Sequence, residues 1–431
     1  MIMKHAWMDR RLAWFTLTRR NLLRGALAAT LAASVLTACE DDDKVTHWYG
    51  SWSASPQDHN EPFPVPPPPS FFNNQTIRQV LRTSIGGDQV RVRFTNLFGT
   101  SPLKIDGARI ALSAGGSSIQ PASDTELRFN GNASVTIPAG GELWSDAAEL
   151  KVGAGEELAV SLFLASETAV STVHAYALQT HYVVAGNALS TETLSGAETR
   201  SSYYFISGAD VRSSARANVV VAFGDSITDG VGTTPDTARR WPDYLSRRLQ
   251  PDGSAGTVSV LNAGISGGRI LNDGLGPSGV TRFERDVLGL TGVTHVIFLL
   301  GINDIGAGAF IPEQAVTVEQ MTAGTQSLID KAKARGIKVL LGTLLPWKGA
   351  DAGGVPYYSE EGEAKRQAFN AWVRANTTVD GVVDFDLALR DPANPLALLP
   401  AYDSGDHLHP SDEGAEAIAN AVDIRLLKVQ P

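Results

Sequence analysis

A change of hydrophobic rhythm near residue 217 constrains this chain more than any other feature. From about Thr46 to Tyr204 the apolar residues recur every second position. Val90-Arg91-Val92-Arg93-Phe94 alternates strictly, so a strand there has one apolar and one basic face. Leu158 to Leu164, Ser134 to Ile137 and Tyr182 to Val184 read as further strands, with turns at Gly86-Gly87, Gly115-Gly116 and Gly140-Gly141. No long helical pattern interrupts them, which predicts an all-β, jelly-roll-like sandwich over residues 46–205. The Pro-rich stretch Pro62 to Pro69 must be an extended loop, because proline cannot donate to a ladder.

From Ala217 onward the rhythm differs. Val219 to Phe223 is continuously apolar, as a strand covered on both faces requires. Val258 to Leu261, Val296 to Leu300, Val339 to Leu345 and Val382 to Phe385 repeat the pattern. Helical stretches at Trp241 to Leu249, Glu319 to Ala334 and Glu361 to Ala375 lie between them. Such alternation predicts an α/β domain over residues 217–431, with a parallel sheet and helices on both faces.

Residues 1–38 stand apart. They carry Lys4, Arg10, Arg11, Arg19, Arg20 and Arg24 against the single acid Asp9, although the whole chain has a net charge of -10. The Ala-rich apolar run from Gly25 to Ala38 is too short to span a bilayer, which needs ~18 residues or more. A basic flank ahead of a short apolar run reads as an export signal. Thr18-Arg19-Arg20-Asn21-Leu22-Leu23-Arg24 resembles a bacterial twin-arginine signal. Leu36-Thr37-Ala38-Cys39 resembles a lipoprotein box, which makes Cys39 the expected lipidation site and residues 39–45 an acidic tether. The alternative is secretion after cleavage near Ala38. Cys39 is the only cysteine, so no intramolecular disulfide can form. The expected location is the bacterial cell envelope, with membrane attachment only through the lipid. Charged residues are 19% of the chain with an acidic balance, and no nucleic-acid partner is expected.

Three of four chemical blocks follow the apolar strands. Gly224-Asp225-Ser226 follows the first, Asn262 to Gly267 the second and Gly301-Ile302-Asn303-Asp304 the third. Asp406-His407-Leu408-His409 comes later, ahead of Pro410 and a helix opening at Ser411. In an open α/β sheet, ligands sit beyond the carboxyl ends of the strands, at the point where strand order reverses. A flavodoxin-like order 2-1-3-4-5 would bring these blocks together. Ser226 is then a candidate nucleophile, with its backbone N–H aimed at an anion, and His409 a base oriented by Asp406. The Gly264 N–H and the Asn303 amide are candidate oxyanion donors. Each residue alone has an ordinary alternative, such as a helix cap, a solvent histidine or a turn-stabilising asparagine. Their joint occurrence in this order is what points to acyl transfer.

These blocks resemble those of the SGNH (GDSL) hydrolase superfamily over most of Ala217 to Pro431. The resemblance implies a three-layer α/β/α domain with Ser226 as nucleophile, His409 as base and Asp406 as its partner. It also implies an oxyanion hole of the Ser226 and Gly264 amides and the Asn303 side chain. The second block departs from the pattern, since many members place the glycine directly before an Asn and this chain reads Asn262-Ala263-Gly264-Ile265-Ser266-Gly267. A β-rich region ahead of this domain is similar to a bacterial branch with acetylxylan-esterase-like members.

The expected function is an exported serine ester hydrolase that works without metal or cofactor. Acetylated polysaccharide fits the export route, the β-region and aromatics such as Trp48, Trp52, Trp347 and Tyr357; lipid and aryl esters are the alternatives. A glycan-binding surface lipoprotein with an inactive hydrolase domain is the reading from another class. Asp406, His407 and His409 as metal ligands lack a supporting cluster. Asp384-Phe385-Asp386 lacks the hydroxyl of an aspartyl-phosphate motif, having Ala388 instead, and Gly224 to Gly230 lacks the lysine of a phosphate loop.

Overall fold

Continuous apolar runs become the buried strands of a five-stranded parallel sheet. Its spatial order is Val258–Gly264, Asn218–Gly224, Val293–Leu299, Lys338–Gly342 and Gly381–Val383, which is 2-1-3-4-5 in chain order. All its neighbours run parallel, and Gly224 stands in register with Gly264 on one side and Leu299 on the other. Val219 to Phe223 are fully buried, since helices cover the sheet. Helix Trp241–Arg248 packs on helix Asp412–Ala421, and helix Val318–Ala334 on helix Glu360–Ala375. The computed structural model describes residues 45–62, 68–250, 258–351 and 356–428. The expected export signal, Cys39 and nearly all of the acidic tether lie outside them.

Among the described residues, besides three smaller sheets of two or three strands, the alternating half forms two main antiparallel sheets. One has the order His47–Ser53, Ile206–Ser213, Gln89–Thr95, Glu142–Trp144. The other has the order Glu198–Arg200, His181–Ala185, Gln75–Arg82, Glu157–Leu164, Gly107–Gly115, Ser118–Ile119, with Thr125–Leu127 also paired to Gly107–Gly115. Val90, Val92 and Phe94 are fully buried, as the alternation predicts. The basic face of that strand is covered rather than open. Arg91 pairs with Asp210 at 2.7 Å and lies 4.6 and 4.5 Å from the ring centres of Trp48 and Trp144. Buried Arg93 donates to the Ser207 hydroxyl at 2.9 Å.

The two regions share one hydrophobic core, and residues Val45–Pro431 form one compact unit. Strand His47–Ser53 packs beside the outer parallel strand Val258–Gly264. Ser259 Oγ donates to the Gly50 carbonyl at 2.6 Å, and the Val260 N–H donates to Ser84 Oγ at 2.7 Å. Polar groups on an edge strand invite pairing with another chain, and here the β-region takes them up. Among the described residues no helix is long and apolar enough to cross a membrane.

A buried ionic knot holds the far side of the sheet. Arg366, fully buried, donates to Glu363 Oε1 at 2.8 Å, to Asp386 Oδ1 at 2.9 Å and to the Leu344 carbonyl at 2.8 Å. Asp384 and Asp386 therefore serve structure: Asp384 caps helix Phe385–Leu389, and both accept from Arg374. Arg366→Ala is expected to strand two buried carboxylates and to cost ~3–5 kcal/mol, read as a lowered urea midpoint. A midpoint equal to wild type would contradict this role.

Candidate active site

The first parallel strand ends in a tight turn. A Cβ added at Gly224 would lie 2.5 Å from the Leu299 carbonyl oxygen, so only glycine allows the close approach of the neighbouring strand there. Asp225 caps the short helix Ser226–Asp229 by accepting the Ile227 N–H at 3.1 Å. Ser226 thereby opens the helix with its side chain free. Its Oγ lies 2.7 Å from His409 Nε2. His409 Nδ1 lies 2.5 Å from Asp406 Oδ2, and Asp406 Oδ1 accepts the backbone N–H groups of Leu408 and His409 at 2.9 and 2.8 Å. Burial works against the Asp406 charge, but the His409 ring and these two donors hold it well below the usual carboxylate range. His407 turns the other way, more than half exposed, and pairs with Asp403 at 2.5 Å.

Asn303 stands in helix Ile302–Ala307 after Gly301, whose φ is 137°. Its Nδ2 donates to the Gly268 carbonyl at 3.0 Å, and its Oδ1 accepts the Tyr357 hydroxyl at 2.8 Å. A carbonyl can only accept, so the amide orientation is set. The second Nδ2–H is left for the cavity that Asn303 lines.

Gly264 requires a correction. Its N–H already donates to Asn262 Oδ1 at 2.8 Å, and it does not line the cavity. Glycine is needed there for close packing, since a Cβ would come within 2.3 Å of the Asp229 nitrogen. Gly267 lines the cavity instead, at φ 74°. Its N–H has no hydrogen-bond partner among the described residues.

These groups face a cavity of about 620 Å³. Leu275, Ile311 and Leu408 contribute apolar walls, and the β-region reaches in with Pro62 and Tyr176. Tyr357 forms part of the wall, its ring stacked on Phe310 at 5.6 Å. Trp52 and Trp347 are core residues; the Trp347 indole donates to Glu363 Oε2 at 2.9 Å. Neither is placed to hold a sugar ring. Among the described residues no group of three His, Cys, Asp or Glu side chains is arranged to hold a metal ion.

Sequence reasoning missed two acids beneath the site. Asp225 is buried and its Oδ2 has no partner among the described residues. Burial, assisted by the charge of Asp304, pushes it up to about 7. Asp304 accepts the Ile270 and Leu271 N–H groups at 2.6 and 3.1 Å, yet burial still lifts it to about 6. In the unfolded chain both titrate near ~3.9. The folded chain therefore binds more protons between about pH 4 and 7, and stability falls as pH rises through that window. Asp225→Asn keeps a capping oxygen and removes one titration. Urea midpoints against pH should show a flatter decline, and greater stability than wild type at neutral pH. A decline of unchanged slope would refute the burial argument.

Residues 222–417 match the family described as GDSL-like lipase/acylhydrolase. Among solved structures, the chain is similar to a provisionally named lipolytic protein of the G-D-S-L family from Desulfitobacterium hafniense DCB-2. The two share 25% identity over 49% of this chain and 99% of that one, with a TM-score of 0.37. It is also similar to a GDSL-like lipase from Bacteroides thetaiotaomicron VPI-5482, at 23% identity over 48% and 87% of the two chains, TM-score 0.34. A third likeness is to a catalytic mutant of an acetylxylan esterase from Geobacillus stearothermophilus, at 21% identity over 50% and 96%, TM-score 0.35. No curated protein matches the sequence. Residues 222–417 therefore form a GDSL-like lipase/acylhydrolase domain of the SGNH hydrolase superfamily.

Proposed function

We propose that the chain is an exported carboxylic ester hydrolase that works through an acyl-enzyme on Ser226. The observation that carries this is the unbroken line Asp406–His409–Ser226, with contacts of 2.5 and 2.7 Å, opening on the cavity. In this reading His409 takes the Ser226 proton as Oγ attacks the ester carbonyl. It then returns that proton to the leaving alcohol and activates water for the second half. Asp406, held as a carboxylate, fixes the ring and offsets the imidazolium. The oxyanion donors are the Ser226 N–H, the Gly267 N–H and the free Asn303 Nδ2–H.

The complete triad speaks for an enzyme and against an inactive glycan-binding scaffold. The cavity is roomy and apolar, which favours an ester with an apolar acyl or aryl group over acetylated polysaccharide. The β-region fits a jelly-roll variant, because its principal strands mostly alternate between the two sheets along the chain. Localisation rests on Cys39 and the basic leader: a lipid-anchored protein of the bacterial cell envelope.

Four measurements test these readings. Ser226→Ala should abolish hydrolysis of p-nitrophenyl esters while the protein stays folded; Asn303→Ala should lower kcat by ~10²–10³ with little change in KM. Retained turnover in the serine variant would sink the mechanism. Across esters of rising acyl length, wild type should prefer chains longer than acetate. In a bacterial host with lipoprotein processing, Cys39→Ser should move the exported protein out of the detergent phase at undiminished specific activity; a wild-type N-terminus that maps elsewhere would overturn the anchor.

A further inference from the structure

His174 belongs to the β-region, on strand Thr172–His174, yet it is buried against the nucleophile helix. Its Nε2 lies 2.9 Å from Asp229 Oδ1, and its Nδ1 lies 3.0 Å from the Ser55 carbonyl. Asp229 is the last residue of helix Ser226–Asp229. Its other oxygen, Oδ2, accepts both the N–H and the hydroxyl of Ser266, at 3.0 and 2.7 Å. Ser266 immediately precedes Gly267. One carboxylate therefore ties three things together: the helix that presents Ser226, the turn that presents the Gly267 N–H, and the β-region.

Proton counting sharpens the picture. Both ring nitrogens of His174 face groups that accept, and a neutral imidazole has only one N–H. Opposite an ionised Asp229, the ring satisfies both only as an imidazolium. Burial opposes that charge, but Asp229 and the Ser55 carbonyl outweigh it and raise His174 above its ordinary value. Of the other charged or titratable groups nearby, Arg240 opposes the imidazolium and is itself paired with Asp243, while burial holds His181 at about 3 and neutral. The rest of the β-region braces the same place. Ser53 Oγ donates to the Asn262 carbonyl at 2.8 Å, and Gln57 Nε2 donates to that of Leu275, on the cavity wall, at 2.6 Å.

Resting on the serine-hydrolase reading above, we infer that His174 is a positioning residue of the active site: through Asp229 and Ser266 it sets the Gly267 oxyanion donor against the nucleophile. This gives the β-region a part in transition-state stabilisation as well as in folding. A donor displaced by a fraction of an ångström costs rate at saturation more than it costs substrate binding.

Two variants separate positioning from packing. In His174→Gln the side-chain amide nitrogen reaches the place of Nε2 and keeps a donor for Asp229; kcat should stay within ~3-fold of wild type. In His174→Asn the shorter side chain keeps a donor for Ser55 but falls short of Asp229; kcat on a p-nitrophenyl ester should fall ~10–100-fold at nearly constant KM. A role in packing alone would lower the thermal midpoints of both variants and leave kcat of the folded protein unchanged. Equal kcat in the two folded variants, or a loss confined to KM, overturns the inference. Should the Asn variant not fold, Ser266→Ala cuts one bond at the other end of the link with His174 in place. A several-fold lower kcat supports the inference and wild-type kcat overturns it. Labelling by a fluorophosphonate keeps the two readings apart. If Ser226→Ala still turns over and still labels, the serine-hydrolase reading fails. If Ser226 labels in wild type and His174→Asn labels equally fast, only the role of His174 fails.

Discussion

A single buried guanidinium lies under the whole site. Arg282 is almost wholly buried, and it donates to the Gly224 carbonyl at 2.7 Å and to the Ala263 carbonyl at 2.8 Å. These carbonyls lie at the ends of the first and second parallel strands, where the ladder stops; that of Gly224 also accepts the Ile265 N–H at 3.2 Å. Asp286 neutralises the charge at 3.2 Å and is itself held by Arg285, while the Phe223 ring lies 4.2 Å from the guanidinium. The two strand ends are thus fixed relative to one another before either loop departs. One loop becomes the turn that presents Ser226 and the other, after Gly264, carries Gly267. The Ser226–His409 contact thus stands on two strand ends bridged by one guanidinium.

Three carboxyls near the nucleophile have environments that drive them apart. Asp406 gathers His409 and two backbone donors and stays ionised. Asp225 has one backbone donor and an oxygen without a partner among the described residues, so burial wins. Asp304 lies between, with two backbone donors. Local donors decide this, and depth alone does not. In the proposed mechanism the firmly ionised Asp406 is the carboxylate that offsets a transient imidazolium at His409.

The parallel strands were legible because a strand covered on both faces must be apolar at every position, a pattern few other elements share. The contact line Asp406–His409–Ser226 was legible because four short polar blocks come in a fixed order, three of them directly after a strand. What failed, failed for identifiable reasons. Gly264 and Gly267 lie three residues apart in one turn, and spacing cannot say which N–H is free. The Asn262 side chain decides it by folding back onto the Gly264 N–H. Arg91 and Arg93 read as a basic face, yet Arg91 pairs with Asp210 between two tryptophan rings and Arg93 is buried on the Ser207 hydroxyl. Arg282 and Asp286 carry an i,i+4 signal, but surface ion pairs show the same one. His174 carried no sequence signal, being one histidine in a strand, 55 residues from the aspartate it meets.

The covered edge of the parallel sheet bears on how such a protein can change over generations. Strand Val258–Gly264 has its Ser259 hydroxyl and Val260 N–H answered by Gly50 and Ser84, and a Cβ at Gly50 would press on Leu261 at 2.8 Å. The hydrolase half is therefore not a cassette that recombination can lift out intact. A drifting residue on either side of this seam must be matched on the other. Exchange of the β-region between relatives should succeed only where the seam travels with it.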